Sequence, residues 1–401
     1  MNKQTIIEPK FVKQFQCVGG DCHDSCCSGW KITIDKKTAK SYLKGKNIIV
    51  KNIAVDNIDL PKTDPLNWGV MKLNAQGDCA FLDDKKFCTV QNQLGASALS
   101  LTCSSYPRTN NVFRQEVNKS LELSCPEATR LLLSDPYAMQ INEREVTLKQ
   151  PLHAPDISQK KKLINLMCRL LVQQAGGETA EALYAMAMLF VAAEKIETES
   201  SEDVAKLESI FTEAMTSIAE REIARKIEAI EPDYQLQWSL LMLIQVYLEN
   251  RNNTRAISTL RHYVKQLIFV QTRHIDTGDV AIPMRSLEKT WQENVIPWLR
   301  QRPHLMMNFM QYRIYHDNFP EYKNHSSLAC LYLLTAEWFL LKSLMCAQYE
   351  VNGSLHESDI INIIYSYHTI TKHTVKTQEA FFDKIDKVKI NDDLSLIYLL
   401  K

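Results

Sequence analysis

Cys17-Val-Gly-Gly-Asp-Cys22-His-Asp-Ser-Cys26-Cys27 places four of the chain's eleven cysteines within eleven residues. Four more follow at Cys79, Cys88, Cys103 and Cys125, so eight fall in the first third of the chain. The remainder holds only Cys168, Cys330 and Cys346, each inside an apolar run, where a thiol behaves as a small buried apolar group. This asymmetry predicts an N-terminal third built around a thiolate-bound metal or a set of disulfides, and an ordinary core beyond it.

The bulk composition narrows the chemistry. The 401 residues carry 47 basic and 47 acidic side chains, so no global charge argues for nucleic acid or a membrane surface. With only 11 glycines, the chain favours helices over a many-turned β fold. Met1 to Lys10 lacks the sustained apolar segment and small-residue cleavage site of a secretory signal. The expected compartment is therefore the reducing cytoplasm, where structural disulfides are rare and clustered cysteines bind metal or do redox chemistry. The most apolar helix, Leu328 to Cys346, is interrupted by Glu337 and Lys342 and reads as a buried amphipathic helix, not a membrane span.

Local patterning predicts a mainly α fold: an irregular, cysteine-rich metal-binding module over residues 1–135, then a large non-repeating helical domain over 136–401. Trp30 to Asp35 alternates as a short strand does. Lys36 to Lys46 predicts a short amphipathic helix with Tyr42 and Leu43 inward and its lysines in solvent. Gly77 to Asp84 and Phe87 to Val90 predict a hairpin that brings two thiols together. Gln93 to Cys103 predicts a short helix that ends before Tyr106-Pro107-Arg108. In Leu121 to Leu133, Pro126 marks a helix start with Ser124 or Cys125 at the cap. After Asp135-Pro136, apolar residues recur at three- and four-residue spacing over 157–175, 178–195, 202–229, 232–251, 253–271, 283–300, 303–317, 326–350, 357–372 and 375–388. Gly176-Gly177 and Asn252-Asn253 mark two of the turns.

Cysteine ligands without paired histidines leave zinc or an iron–sulfur cluster. The gaps of four, three and zero residues in the first cluster, with Cys88 nine positions after Cys79, match no zinc-ribbon knuckle. Nor do they match the Cys-x₃-Cys-x₂-Cys run of radical enzymes, because Cys27 comes too early after Cys26. Adjacent Cys26 and Cys27 point apart unless the backbone turns tightly, which suits two different roles. Eight thiols exceed the four that one cubane cluster needs, so there are two metal centres or some thiols are spectators. Cys22, Cys26 and one of Cys17 or Cys27 are the expected core of a cluster site.

These residues carry a resemblance. The run Cys17-x₄-Cys22-x₃-Cys26-Cys27, then Cys79-x-Phe-Leu-Asp, Cys88, Leu94-Gly95, Cys103-x-x-Tyr-Pro-Arg and Leu123-Ser-Cys-Pro-Glu-Ala, resembles the flagellin lysine N-methylases. Their cysteine module is similar to small zinc- or iron-chelating proteins. The likeness runs the full length, with Asn308-x₃-Tyr312-x-x-Tyr315, Phe319-Pro320 and a late helix around His373. It implies methyl transfer from S-adenosylmethionine to lysines of flagellin before export, and an iron–sulfur cluster of the 4Fe-4S type. It assigns no catalytic residue.

Such a protein must neutralise a lysine ammonium, which at pH 7 costs about 4.6 kcal/mol from an unperturbed pKa near 10.4. It must then align amine, methyl and sulfur, which is proximity work and needs no radical. A cluster as anchor or structural element therefore fits better than a cluster as radical source. It would also account for the missing glycine loop of ordinary methyltransferases, since no Gly-x-Gly run occurs in the chain.

Candidate residues follow from type and place. Arg108 has the planar fork that grips a cofactor carboxylate, or a structural ion pair. Glu127 is a base candidate, although glutamate is common in a first helical turn for dipole reasons. Tyr312, Tyr315 and His316 share a helix face and read as core, or as an aromatic surround for a lysine. His23 and Asp24 read as loop polarity or as hydrogen-bond partners of a ligand. The competing function is a non-enzymatic iron–sulfur or zinc-binding, electron-transfer module with a helical interaction domain.

Overall fold

The N-terminal segment forms a strand held from both sides. In the computed structural model, which describes residues 2–148, 153–194, 196, 200–251, 255–322, 325–372, 375–389 and 393–401, β1 (Asn2–Pro9) is central in a four-stranded sheet. It runs parallel to β6 (Glu116–Leu121), with Thr5 opposite Glu116, and antiparallel to β7 (Ile141–Leu148), with Asn2 opposite Leu148. The remaining edge strand is β5 (Arg108–Val112), giving the order β5-β6-β1-β7. The sheet thus uses residues on both sides of position 135. The alternation in β7 is masked because Asn142 to Arg144 are exposed and polar on an edge strand, where charge blunts further pairing.

A second, small sheet has β2 (Thr33–Ile34), β3 (Ile58–Asp59) and β4 (Gly69–Met71) in the order β2-β4-β3. Short helices close over it: α2 (Lys36–Lys44), α3 (Ile48–Asn57), α4 (Thr89–Leu94) and α5 (Leu101–Ser105), after α1 (Lys10–Gln14). Asp35 and Asn47 cap α2 and α3 by accepting from Thr38 N and Val50 N, both at 3.0 Å. Tyr42 is buried as expected, in a core with Ile32, Ile34, Val50, Met71 and Phe81. Two short helices joined by a 3₁₀ turn replace the single one expected from Gln93. Then α6 (Pro126–Ser134) starts with proline at its first position and Cys125 at the cap.

The rest of the chain is helical: α7 (Gln159–Ala175), α8 (Thr179–Ala193), α9 (Ser201–Ala219), α10 (Glu222–Glu228), α11 (Tyr234–Glu249), α12 (Ile257–Thr272), α13 (Ala281–Thr290), α14 (Ile296–Arg300), α15 (His304–His316), α16 (Ser327–Asn352), α17 (Glu357–Thr371) and α18 (Val375–Val388). The helix expected over 202–229 is broken at Arg221, which takes the left-handed conformation at φ 58°. The turn at Asn252-Asn253 and the position of His373 lie outside the described residues. Helix α16 is long and apolar enough to cross a membrane, but 94% of its most apolar window is buried inside the protein. It is buried on every side rather than on one stripe, so it is the central core helix, not an amphipathic one.

Helix α15 clips the first sheet and α6 to this core. Asn308 Nδ2 donates to Leu132 O and Asp135 O at 2.9 and 2.8 Å. Tyr312 Oη donates to Leu121 O at 2.8 Å, and Tyr315 Oη donates to Ile7 O and Lys119 O at 3.1 and 3.0 Å. The spacing of four and three puts all three on one helix face. Phe11, Val12, Leu121, Leu123 and Cys125 share one apolar core with α7, α8 and α16.

Inside that core Glu337 accepts from Arg313 at 2.6 Å, from Tyr367 at 2.8 Å and from Lys372. Burial opposes its ionisation, but Arg313 and Lys372 outweigh it and hold the carboxyl below its ordinary range. A depressed carboxylate contributes stability above its unfolded pKa and loses it as pH falls through the folded one. Glu337→Ala leaves the buried Lys372 without its hydrogen-bonded carboxylate and Arg313 with only Asp317, and is expected to cost about 3–5 kcal/mol, read as a lower denaturation midpoint at neutral pH. An unchanged midpoint would show that the cations find another partner.

Candidate functional site

All eight N-terminal cysteines line one cavity of about 560 Å³, a volume typical of small-molecule sites. The floor comes from the small core. Cys79 N donates to Cys27 O at 2.8 Å, Cys88 stands at the cap of α4, and Cys103 N donates to Ser100 Oγ at 3.2 Å at the start of α5. The roof comes from the loop that carries Cys17, Cys22 and Cys26, and from Cys125 at the cap of α6. Two glycines let this loop fold tightly. A Cβ on Gly20 would sit 2.7 Å from the Phe87 ring, and one on Gly29, at φ +76°, would sit 2.6 Å from Arg255 N.

The thiols divide by their surroundings. Cys27, Cys79, Cys88 and Cys103 pack together on the small core, whereas Cys125 belongs to the large one. Burial pushes Cys79 and Cys103 up, to about 12 and about 11, and Cys88 raises both further. Burial pushes Cys125 up to about 12, and Cys22 and Cys26 add to the shift. Cys26 and Cys27 share a thiol contact in which Cys26 is the more acidic partner, with Arg255 also favouring its thiolate. Cys17 is exposed. All eleven cysteines are free thiols. Among the described residues no three His, Cys, Asp or Glu side chains converge as a single-ion site. The eight thiols ring a space instead of a point.

The residue that sequence reasoning missed is Arg255. It precedes α12, far along the helical part, yet its side chain is only 6% exposed and forms part of the cavity wall. Its Nε lies 3.3 Å from Asp24 Oδ2, and its Nη2 donates to Tyr106 Oη at 3.0 Å and to Ser124 O. Its guanidinium is 5.7 Å from the Tyr106 ring centre. No motif surrounds it, and nothing local marks one arginine among many as the one turned into a distant cysteine loop.

The other expected residues separate clearly. Arg108 lines the cavity, its guanidinium 5.0 Å from the Phe15 ring centre. Glu127 also lines it, but both carboxylate oxygens accept from Arg130 at 2.7 Å. Asp24 is in the wall, with burial raising its carboxyl and Arg255 opposing that shift. His23 sits edge-on to Tyr365 at 5.2 Å. Tyr312 and His316 are not brought to the cavity. Tyr312 is fully buried beneath β6, and His316 stacks on it at 4.7 Å with Nδ1 2.8 Å from Ser120 Oγ.

Fold and site together define a mainly helical protein with a thiol-ringed cavity where a small cysteine-bearing sheet module meets a large helical body. The family model for the FliB lysine N-methylase C-terminal domain matches residues 165–399. Over its whole length the chain is 35% identical to a lysine-N-methylase of Salmonella typhimurium, also covered in full, and equally to that of Salmonella choleraesuis. A flagellar biosynthetic protein FliU of Salmonella muenchen is 49% identical over 146 residues, which is 36% of this chain and 86% of that relative. No solved structure matches the chain. The chain belongs to the FliB lysine N-methylase family.

Proposed function

We propose that this protein transfers methyl groups from S-adenosylmethionine to lysine side chains of flagellin, in the cytoplasm, and that its cysteine cavity holds an iron–sulfur cluster. The observation that supports this reading is the convergence of all eight N-terminal cysteines on one cavity, in a chain whose full-length relatives are lysine methylases. The flagellar name of the FliU relative supports the choice of flagellin. Eight thiols around a space of this size, with Asp24 and Glu127 engaged by arginines, fit a cluster. Cys27, Cys79, Cys88 and Cys103, which share the small core, are the set we assign to a cluster, and Cys17, Cys22, Cys26 and Cys125 line the rest of the cavity as the thiols of a second. A four-iron cluster held by these thiols would supply Lewis-acidic iron for the polar end of the methyl donor, or would staple the loop around it.

The chain's own residues meet the remaining demands. Desolvation in the apolar part of the cavity disfavours an entering lysine as ammonium and so favours the free amine. Arg108, exposed at the mouth, has a fork suited to a carboxylate. Ile32, Met71, Phe81 and Val90 line part of the cavity and exclude water there. The test is incubation of anaerobically purified protein with unmethylated flagellin and S-adenosylmethionine, read by intact mass. A ladder of added methylene masses on flagellin is expected from a brown, iron-containing protein. Colourless protein with bound zinc and full activity would overturn the cluster. Brown protein that leaves flagellin unmodified would support the electron-transfer reading instead.

A further inference from the structure

Helices α2 and α5 and the loop at Pro65 and Leu66 enclose a second concavity, a groove of about 750 Å³. Between Lys31 and Lys51 the chain carries seven lysines and a single acid, Asp35. That acid also lines the groove, but its carboxylate is engaged by backbone, accepting from Thr38 N at 3.0 Å and Leu101 N at 3.1 Å, so the lysines outnumber it along the rim. Lys36 lies 4.3 Å over the Trp68 ring. Lys37 and Lys40 line the groove, are exposed, and have no carboxylate partner among the described residues. The apolar part of the groove is equally open, with Leu66 62% and Leu101 54% exposed. In a chain of zero net charge this is a local positive field beside bare aliphatic surface.

The groove also has a direction. Leu99 and Ser104 line both it and the thiol cavity, so the two concavities meet along one wall. We propose that this lysine-rimmed groove docks an acidic, aliphatic segment of the methyl-accepting protein and feeds an adjoining lysine into the thiol cavity. The inference rests on the methyl-transfer reading for the identity of that partner. Lys37 and Lys40 attract the partner's carboxylates, and Leu66 and Leu101 cover its aliphatic side chains. The same lysines repel the target ammonium, which keeps it from lodging in the groove. The site is concave, which suits a chain segment rather than a bilayer.

The test pairs a charge reversal, Lys37→Glu with Lys40→Glu, with a charge-preserving control, Lys37→Arg with Lys40→Arg. Unmethylated flagellin should bind the reversed protein about tenfold more weakly, with KM raised, kcat and iron content unchanged, and the control near wild type. Binding to the wild type should weaken with added salt, and binding to the reversed protein should not. Equal flagellin affinity in all three proteins, or equal loss in the control and the reversed protein, would overturn the groove. If the wild type fails to methylate flagellin, the functional reading falls, and a synthetic acidic peptide bearing leucines tests the groove by itself. Its binding to the wild type and not to the reversed protein supports the groove. Equal binding to both, or binding of anionic vesicles in its place, overturns it.

Discussion

Replacing Cys79 and Cys103 together by serine is expected to abolish cluster incorporation at the small core and to unfold that core. Both thiols sit with Cys27 and Cys88 on the apolar cluster that this sheet and its short helices share. That cluster is small, with eleven buried members, so apolar burial alone holds the segments around it weakly. Metal binding in modules of this kind is folding free energy, about 10–16 kcal/mol for structural zinc, which exceeds the whole net stability of an ordinary domain. The double variant should therefore lose the iron of this set, and limited proteolysis should cut within residues 20–105 while α7 to α17 stay protected. Cys22→Ser with Cys26→Ser should remove only the second set and leave the small core resistant. Cys168→Ser and Cys346→Ser should keep full iron, because both thiols lie in the large core, away from the cavity. Normal iron and sulfide in the Cys79, Cys103 variant would sink the assignment.

Methyl transfer should yield S-adenosylhomocysteine in proportion to methylated lysine and consume no reductant. A neutral amine displaces a methyl group from a sulfonium directly, so alignment and desolvation suffice. The chain also lacks the Cys-x₃-Cys-x₂-Cys run that radical chemistry uses. Anaerobic turnover with and without dithionite, with nucleoside products separated by chromatography, distinguishes the two routes. Deoxyadenosine formed only with dithionite, and in step with methylation, would overturn displacement. Loss of the S-adenosylhomocysteine product on removal of the cluster would leave the thiol centre as an anchor.

Much of the helical part was legible because a helix is written in near neighbours. Apolar residues three and four apart predicted α7, α8, α11, α15, α16 and α17 to within a few residues, and Pro126 marked the start of α6. The eight cysteines announced a thiol site by number alone. The β1, β6 and β7 pairing was not legible. β1 lies more than a hundred residues from each of its partners, and β7 shows a charged edge instead of an apolar alternation. Asn308, Tyr312 and Tyr315 illustrate the same limit, since their spacing placed them on one face but not against the backbone of Leu132, Leu121 and Ile7.

By itself, then, the sequence determined the helical body and the residue type at the site, because both depend on local spacing and side-chain chemistry. Only the tertiary structure decided which thiols pack on the small core, that Arg255 is part of the cavity wall, and that the lysines of α2 rim a groove sharing Leu99 and Ser104 with that cavity. Those are contacts between segments distant in the chain. They are set by which surfaces bury against each other, and no local period records that.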